Sequence, residues 1–408
     1  MTPAVTGKSR IVLHELAFHK ENDDEMLVGR TDIGHYIAIP LLGWEVLKHL
    51  REGKTIGQIE ALLTEEHKEP VEVLEFVQEL ITAHPFVREL DGVVIHERVP
   101  VKEHLPWIPA SWGRMLFHPA AFTGYLLLLL FTITAFVLQP HIIPRGEDFF
   151  FSPTLPMNVL LALGVSWLVL FFHELAHLVA ARSIGVASRF GFGHRLVFPV
   201  AETDMSNIVV VPYRLRYRAY LAGLCSDSVF LAAATGIQLL HHAGVLSLEP
   251  GTVLTIRMIA FHVMNLMLFQ LLFFMKTDLY YVVTTFFRCR SLLEHTQLFL
   301  KSLIRRECRD VWETLPFGER KLIRGYVWFY AAGVVLTVLW FVSIQVPVLY
   351  RLVSEAAIVL QSKQVFSWGF AEGLLLIVLC LLPVGLLLWS WSRKRRGAKG
   401  GEHLENKS

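Results

Sequence analysis

The chain has 408 residues, 53% of them hydrophobic and 18% charged, with a formal net charge of +2. A composition this apolar, with a mean hydropathy of +0.47, excludes an ordinary soluble enzyme and predicts a mostly α-helical, polytopic protein of the cell membrane, seated in the lipid bilayer. The balanced charge gives no electrostatic case for a nucleic-acid partner, and the four cysteines form no CxxC pair, so they read as reduced thiols that do not bind zinc.

The first thirty residues are polar and lack the apolar core of a cleavable signal, so the N-terminus is expected in the cytosol. Residues 1–100 predict a small soluble domain. Strand-prone segments cover residues 11–18, 26–28 and 36–39. Thr55 fits the N-cap of a helix carrying Ile56, Ile59, Leu62 and Leu63. Pro70 suits the first turn of another, with Val71, Leu74, Val77 and Ile81 on its apolar face. Residues 86–90 and 93–95 flank Asp91-Gly92, the signature of a tight β-hairpin. Helices followed by a hairpin suggest a winged-helix-like fold. Such folds often bind DNA, but this segment holds ten Lys and Arg against eighteen Asp and Glu, a net charge of −8 that repels phosphates. A peptide partner or a structural role fits better. Residues 101–118 read as a linker whose Trp107 and Trp112 suit a membrane surface.

Residues 119–391 predict six spans, at about 119–139, 154–180, 217–241, 252–275, 325–347 and 366–390. Basic residues gather before span three (Arg214, Arg216, Arg218), before span five (among them Arg305, Arg306 and Arg309) and after span six (Arg393, Lys394, Arg395, Arg396). Loops at 140–153, 242–251 and 348–365 are poorer in them. Both termini are therefore expected in the cytosol, with residues 392–408 a basic, disordered tail. Residues 186–212 are strand-prone but interrupted by Gly191, Gly193 and Pro199, which predicts a β-hairpin associated with the membrane. Its backbone must pair or line a cavity, and an extended substrate added as a strand is one way to pair it. Phe198, Val200 and Asp204 are the hairpin residues expected to touch substrate.

The sharpest signal is His173-Glu174-Leu175-Ala176-His177, an HExxH sequence at the end of an apolar run over residues 155–170. Two histidines four apart share one helix face and can share one Zn²⁺, and Glu174 between them is a candidate general base. Ionisable groups are costly in hydrocarbon and usually mark a functional site. A hydrolytic zinc site needs a third protein ligand. Asp278, just past span four, lies at the matching depth, although an interfacial aspartate paired with Lys276 reads equally well from position alone. His194, Glu202 and Asp204 are weaker candidates. His262 lies about four turns from Asp278, too far to share its site.

A transmembrane HELAH, then Thr203-Asp204-Met205-Ser206, then Asp278-Leu279-Tyr280-Tyr281 resembles the site-2 protease family of intramembrane zinc metalloproteases over residues 155–300, and most closely its bacterial peptide zinc metalloprotease branch. The chain departs from that pattern in two places: Leu279 stands where the family usually has Gly, and Ala222-Gly223-Leu224-Cys225 where it often has Ala-Gly-Pro. The resemblance implies that His173, His177 and Asp278 bind zinc, that Glu174 is the general base, and that the substrate is a peptide or membrane-protein segment. The N-terminal domain resembles the leader-peptide-recognition domains of peptide-modification systems. The expected function is a zinc metalloendopeptidase in peptide maturation. The alternative is a catalytically silent scaffold, exporter or immunity subunit; a membrane-anchored transcription regulator is disfavoured by the domain's acidity.

Overall fold

The structure, a computed structural model, describes residues 5–20, 24–100, 103–149, 155–195, 198–289, 291–303, 305–315, 317–340, 342–343, 346–362 and 368–405. It divides into two compact units.

The first unit comprises Met1–Pro109, Ile184–Arg189 and Asp204–Arg216. Its strands are β1 (Ile11–Leu13), β2 (Ala17–Lys20), β3 (Glu25–Arg30) and β4 (His35–Pro40), followed by helices α1 (Leu41–Arg51), α2 (Ile56–His67) and α3 (Val73–Thr82), then β5 (Val87–Leu90) and β6 (Val93–Val94). Two antiparallel sheets form, ordered β1-β5-β6 and β2-β3-β4. Thr55 and Gln58 close a capping box that starts α2. Asp91 and Gly92 both take positive φ, 50° and 82°, as a primed two-residue hairpin turn requires. Ile56, Ile59, Leu63, Val77 and Phe86 are fully buried in one core, which is why the helical periodicity was readable here.

Residues 204–216 join this unit through side chains. The Tyr36 hydroxyl donates to Asn207 Oδ1 at 2.6 Å, and Asn207 Nδ2 donates to the Thr31 carbonyl at 3.0 Å. The segment expected as hairpin over 186–212 is therefore shorter: β7 (Arg189–Arg195) pairs with β8 (Phe198–Asp204), and Ser206–Val210 form a 3₁₀ turn. Asp204 ends the strand by accepting from the Ser206 amide and hydroxyl, a local bond that competes with sheet pairing.

The second unit carries the apolar helices. After α4 (Ala110–Leu116), inside the expected linker, come α5 (Pro119–Leu138), α6 (Leu155–Ser183), α7 (Tyr213–Tyr220), α8 (Ala222–His242) and α9 (Pro250–Gln270). Short helices α10 (Asp278–Phe286), α11 (Leu292–Ser302) and α12 (Arg306–Glu313) lead to α13 (Phe317–Trp340), α14 (Val346–Ser362) and α15 (Trp368–Glu405). Among the described residues six helices are long and apolar enough to cross a membrane: Pro119–Leu138, Pro156–Ser183, Tyr213–His242, Pro250–Gln270, Gly318–Leu339 and Gly369–Leu386. The chain thus has the make-up of a multi-pass membrane protein.

Three expectations need correction. Span four stops at Gln270 rather than residue 275, because Lys276 takes a left-handed φ of 57° and Thr277 Oγ1 caps the Gln270 carbonyl at 2.8 Å. The loop expected at 348–365 is largely helix α14, whose Leu349 and Val353, four residues apart, pack against Leu376 of α15. The expected disordered tail continues α15 to Glu405; it contains no proline, and its Lys and Arg are good helix formers.

Arg30 is 1% exposed, and it donates to Asp32 at 2.9 and 2.5 Å and to the carbonyls of Pro85 (2.7 Å) and Glu97 (3.1 Å). Burial works to raise the Asp32 carboxyl, but the Arg30 bonds, the Val99 amide and the Arg30 charge outweigh it and hold the group below its ordinary value. The pair's contribution is therefore complete above the ordinary carboxylate range and is lost as pH falls through the lowered folded value. Arg30→Met should destabilise this unit by about 3 kcal/mol by stranding Asp32. Hydrogen exchange of the β3 and β4 amides in the full chain measures this; unchanged protection would refute it.

Candidate metal centre

Helix α6 carries His173 and His177 one turn apart, each 1% exposed. Their outer nitrogens are both engaged. His173 Nδ1 lies 2.8 Å from Asp227 Oδ2, and His177 Nδ1 lies 2.7 Å from the Ala219 carbonyl. A carboxylate and a carbonyl can only accept, so each Nδ1 carries the proton and each neutral ring turns an Nε2 lone pair inward. The two Nε2 atoms stand 3.2 Å apart. Asp278 Oδ2 is 2.9 Å from the first and 3.0 Å from the second.

Two imidazole Nε2 atoms and one carboxylate oxygen therefore converge within 3.2 Å of one another, a spacing that a shared cation would hold. Ligand atoms about 2.0–2.1 Å from a tetrahedral zinc stand about 3.3 Å apart, close to what is seen. A proton shared with Asp278 would also hold that spacing, but the Nδ1 partners are those that orient metal-ligating histidines.

Asp278 opens α10 and reaches the histidines because α9 has broken off. Its amide donates to Gln270 Oε1 at 3.0 Å, so the last residue of α9 fastens the first of α10. Burial would raise the Asp278 carboxyl, but His177 and His173 hold it well below its usual value. The competing reading, in which Asp278 pairs with Lys276, does not hold: Lys276 reaches Glu294 instead.

Glu174 is 9% exposed, and the Thr203 hydroxyl donates to its backbone carbonyl at 3.0 Å, which ties β8 to α6 at the HExxH. Val200 lies half-buried on the same strand. The side chains of Phe198 and His194 lie outside the described residues. Asp204 is held by Arg189 at 3.0 Å and by Ser206. Among the described residues the cluster consists of His173, His177 and Asp278 and includes none of Glu202, Asp204 or His262.

Sequence reasoning missed three residues. Asp227 is the lone acidic residue of α8, and that was the available signal, since a carboxylate in an apolar span needs a partner. Gln270 gave no signal. Gly223 had been noted only as part of a departure from the family pattern, yet a Cβ there would fall on His173 Nε2 and 2.6 Å from His177 Nε2. Glycine is required where backbone approaches the donors this closely.

No family model, curated protein or solved structure matches the chain.

Gly223→Ala should cost at least about tenfold in divalent-metal affinity, the scale of a disturbed ligand shell, while the helical content stays native. Competition against a chromophoric chelator reads the affinity, and wild-type uptake would show that the donors do not meet where Gly223 stands.

Proposed function

We propose that the protein is an intramembrane zinc metalloendopeptidase, with His173, His177 and Asp278 as metal ligands and Glu174 as general base. The observation that carries this reading is the inward convergence of two imidazole Nε2 atoms and one carboxylate oxygen, with both Nδ1 atoms already committed. A donor set of two imidazoles and one carboxylate suits zinc and leaves a fourth position open, as hydrolytic sites do. A zinc ion held there would supply Lewis acidity and lower the pKa of water.

The residues divide the remaining work. Glu174 takes a proton from the attacking water and delivers it to the leaving amine. Asp227 keeps His173 in the tautomer that presents Nε2, and Ala219 does the same for His177. Among the described residues the β7–β8 sheet has two strands, and the Thr203 bond to the Glu174 carbonyl fastens it to α6. An extended peptide could add to that sheet as a further strand, with Val200 and Phe198 of β8 close to Thr203 in sequence.

Three helices followed by the β5–β6 strand pair support a winged-helix-like reading of the first unit. Its excess of acidic residues argues for a peptide partner, such as a leader segment, over nucleic acid. The distribution of basic residues supports a cell-membrane protein with both termini in the cytosol.

The decisive comparison is zinc per chain in detergent-purified protein. His173→Ala and Asp278→Ala should each lose one zinc relative to wild type. Glu174→Gln should keep wild-type zinc but lose about 10²–10⁴-fold of cleavage, read by mass spectrometry on a library of single-span peptides. Cleavage undiminished by Glu174→Gln would refute the mechanism. No zinc change in the ligand variants would favour a silent scaffold.

Asp227→Asn preserves the shape of the site but removes the charge behind His173. Zinc affinity should fall about 10–100-fold. An affinity equal to wild type would remove Asp227 from the site's machinery.

A further inference from the structure

A second cluster of ligand-type side chains lies among the helices that follow Asp278. Helix α10 ends in a turn where Arg288 takes a φ of 53° and the Cys289 amide bonds the Thr284 carbonyl at 3.0 Å. That turn sends Cys289 inward, where it is 1% exposed within a core formed by Tyr280, Leu292, Trp312 and Ile323. His295 comes from α11 and Glu319 from the first turn of α13. One donor atom from each of these three residues lies within 4.8 Å of the others.

Two details separate this cluster from an ordinary core cysteine beside a surface ion pair. Among the described residues His295 Nδ1 is buried and makes no hydrogen bond, its contact with Glu319 Oε2 being a loose ion pair at 3.5 Å. A buried polar atom of that kind costs free energy unless something meets it. The thiol is also not poised as a nucleophile: burial, then the Glu319 charge, pushes it up to about 11. A buried thiol thus sits beside a loose imidazole–carboxylate pair, an arrangement that a common partner would tighten.

We propose that Cys289, His295 and Glu319 form a second transition-metal site, of the zinc and cobalt class, that pins α10 to α11 and α13. One thiolate, one imidazole and one carboxylate make a borderline-soft donor set whose charge of −2 balances a divalent ion. Zinc–sulfur and zinc–nitrogen bonds of about 2.3 and 2.0 Å place ligand atoms about 3.5 Å apart. The His295–Glu319 pair stands at 3.5 Å, close to the roughly 3.3 Å of nitrogen and oxygen ligands on one ion, and the thiol lies within 4.8 Å of both. The thiol gives up its proton to solvent as the ion binds. Because α10 begins at Asp278, an ion here would fix the helix that delivers Asp278 to the histidines. Ligands at 289, 295 and 319 have no CxxC spacing, so the sequence reads Cys289 as a reduced thiol that does not bind zinc.

The two clusters differ in one element, sulfur, and this makes the test specific. Cobalt(II) is titrated into metal-free, full-length protein in detergent, and the near-ultraviolet thiolate-to-cobalt charge-transfer band is recorded. Wild type should show the band, and His173→Ala should retain it in full, because the histidine cluster contains no thiol. Cys289→Ser should abolish it, whereas Cys308→Ser should leave it intact. Glu319→Gln, which keeps the shape of the side chain, should weaken cobalt binding by at least about tenfold. Absence of the band in wild-type protein of native helical content, or its survival in Cys289→Ser, would overturn the proposal. Should Cys289→Ser not fold, Glu319→Gln and His295→Gln decide, and wild-type cobalt affinity in both would equally overturn it.

Discussion

The arrangement of the second unit turns on two hydrogen bonds, from His173 Nδ1 to Asp227 and from His177 Nδ1 to Ala219. They decide which face of each ring carries a lone pair. Without them either imidazole could turn its protonated nitrogen inward and bond Asp278 as an ordinary neutral pair. With them in place, the inward atoms are the two Nε2 nitrogens and the Asp278 carboxylate, in a buried setting where charge interactions are far larger than at a surface. A shared cation suits that setting, which is why this constellation outweighs the bare HExxH as an argument for a metal.

Bringing these atoms together requires three departures from regular helix. The α7–α8 junction places Gly223 against the histidine rings, where no side chain fits. The α9–α10 break lets Asp278 enter from a new helix instead of trailing from the end of a span. The β7–β8 strand pair brings Thr203 against α6 at Glu174. In a membrane each departure frees backbone groups that lipid cannot satisfy. Here the freed groups and the site share partners. Thr277 and Asp278 bond Gln270, Ala219 bonds His177, and Glu174 bonds Thr203.

Those departures also mark where the sequence stopped being informative. Apolar runs of about twenty residues made the spans visible, and the four-residue spacing put both histidines on one face, because both signals are local and periodic. The Asp91-Gly92 turn and the Thr55 cap were equally local. From the sequence Asp278 is one of several candidates, and only contact with His173 and His177 separates it from an interfacial aspartate. Asp227, Gln270 and Gly223 act across 54, 97 and roughly fifty residues of chain, and no local pattern records that separation. The hairpin was read too long because Ile208, Val209 and Val210 have strand propensity, whereas the Asp204–Ser206 bonds impose a turn. Helix α14 was missed because its apolar stripe is too short and too interrupted to read as a span.

Gln270 shows how tightly function and integrity are joined. It is 4% exposed and serves three neighbours: its carbonyl takes the Thr277 hydroxyl, its side-chain oxygen takes the Asp278 amide, and its amide nitrogen stands 3.4 Å from His173 Nε2. A buried side-chain amide has four hydrogen-bonding positions, and leaving them unmet in hydrocarbon is costly. The residue that ends span four is thus the one whose own polar groups are met only when Asp278 is in place. Helix break, Asp278 carboxylate and histidine pair share Gln270 as a partner, so a polar cluster inside an apolar bundle can specify one geometry where apolar packing alone would allow several.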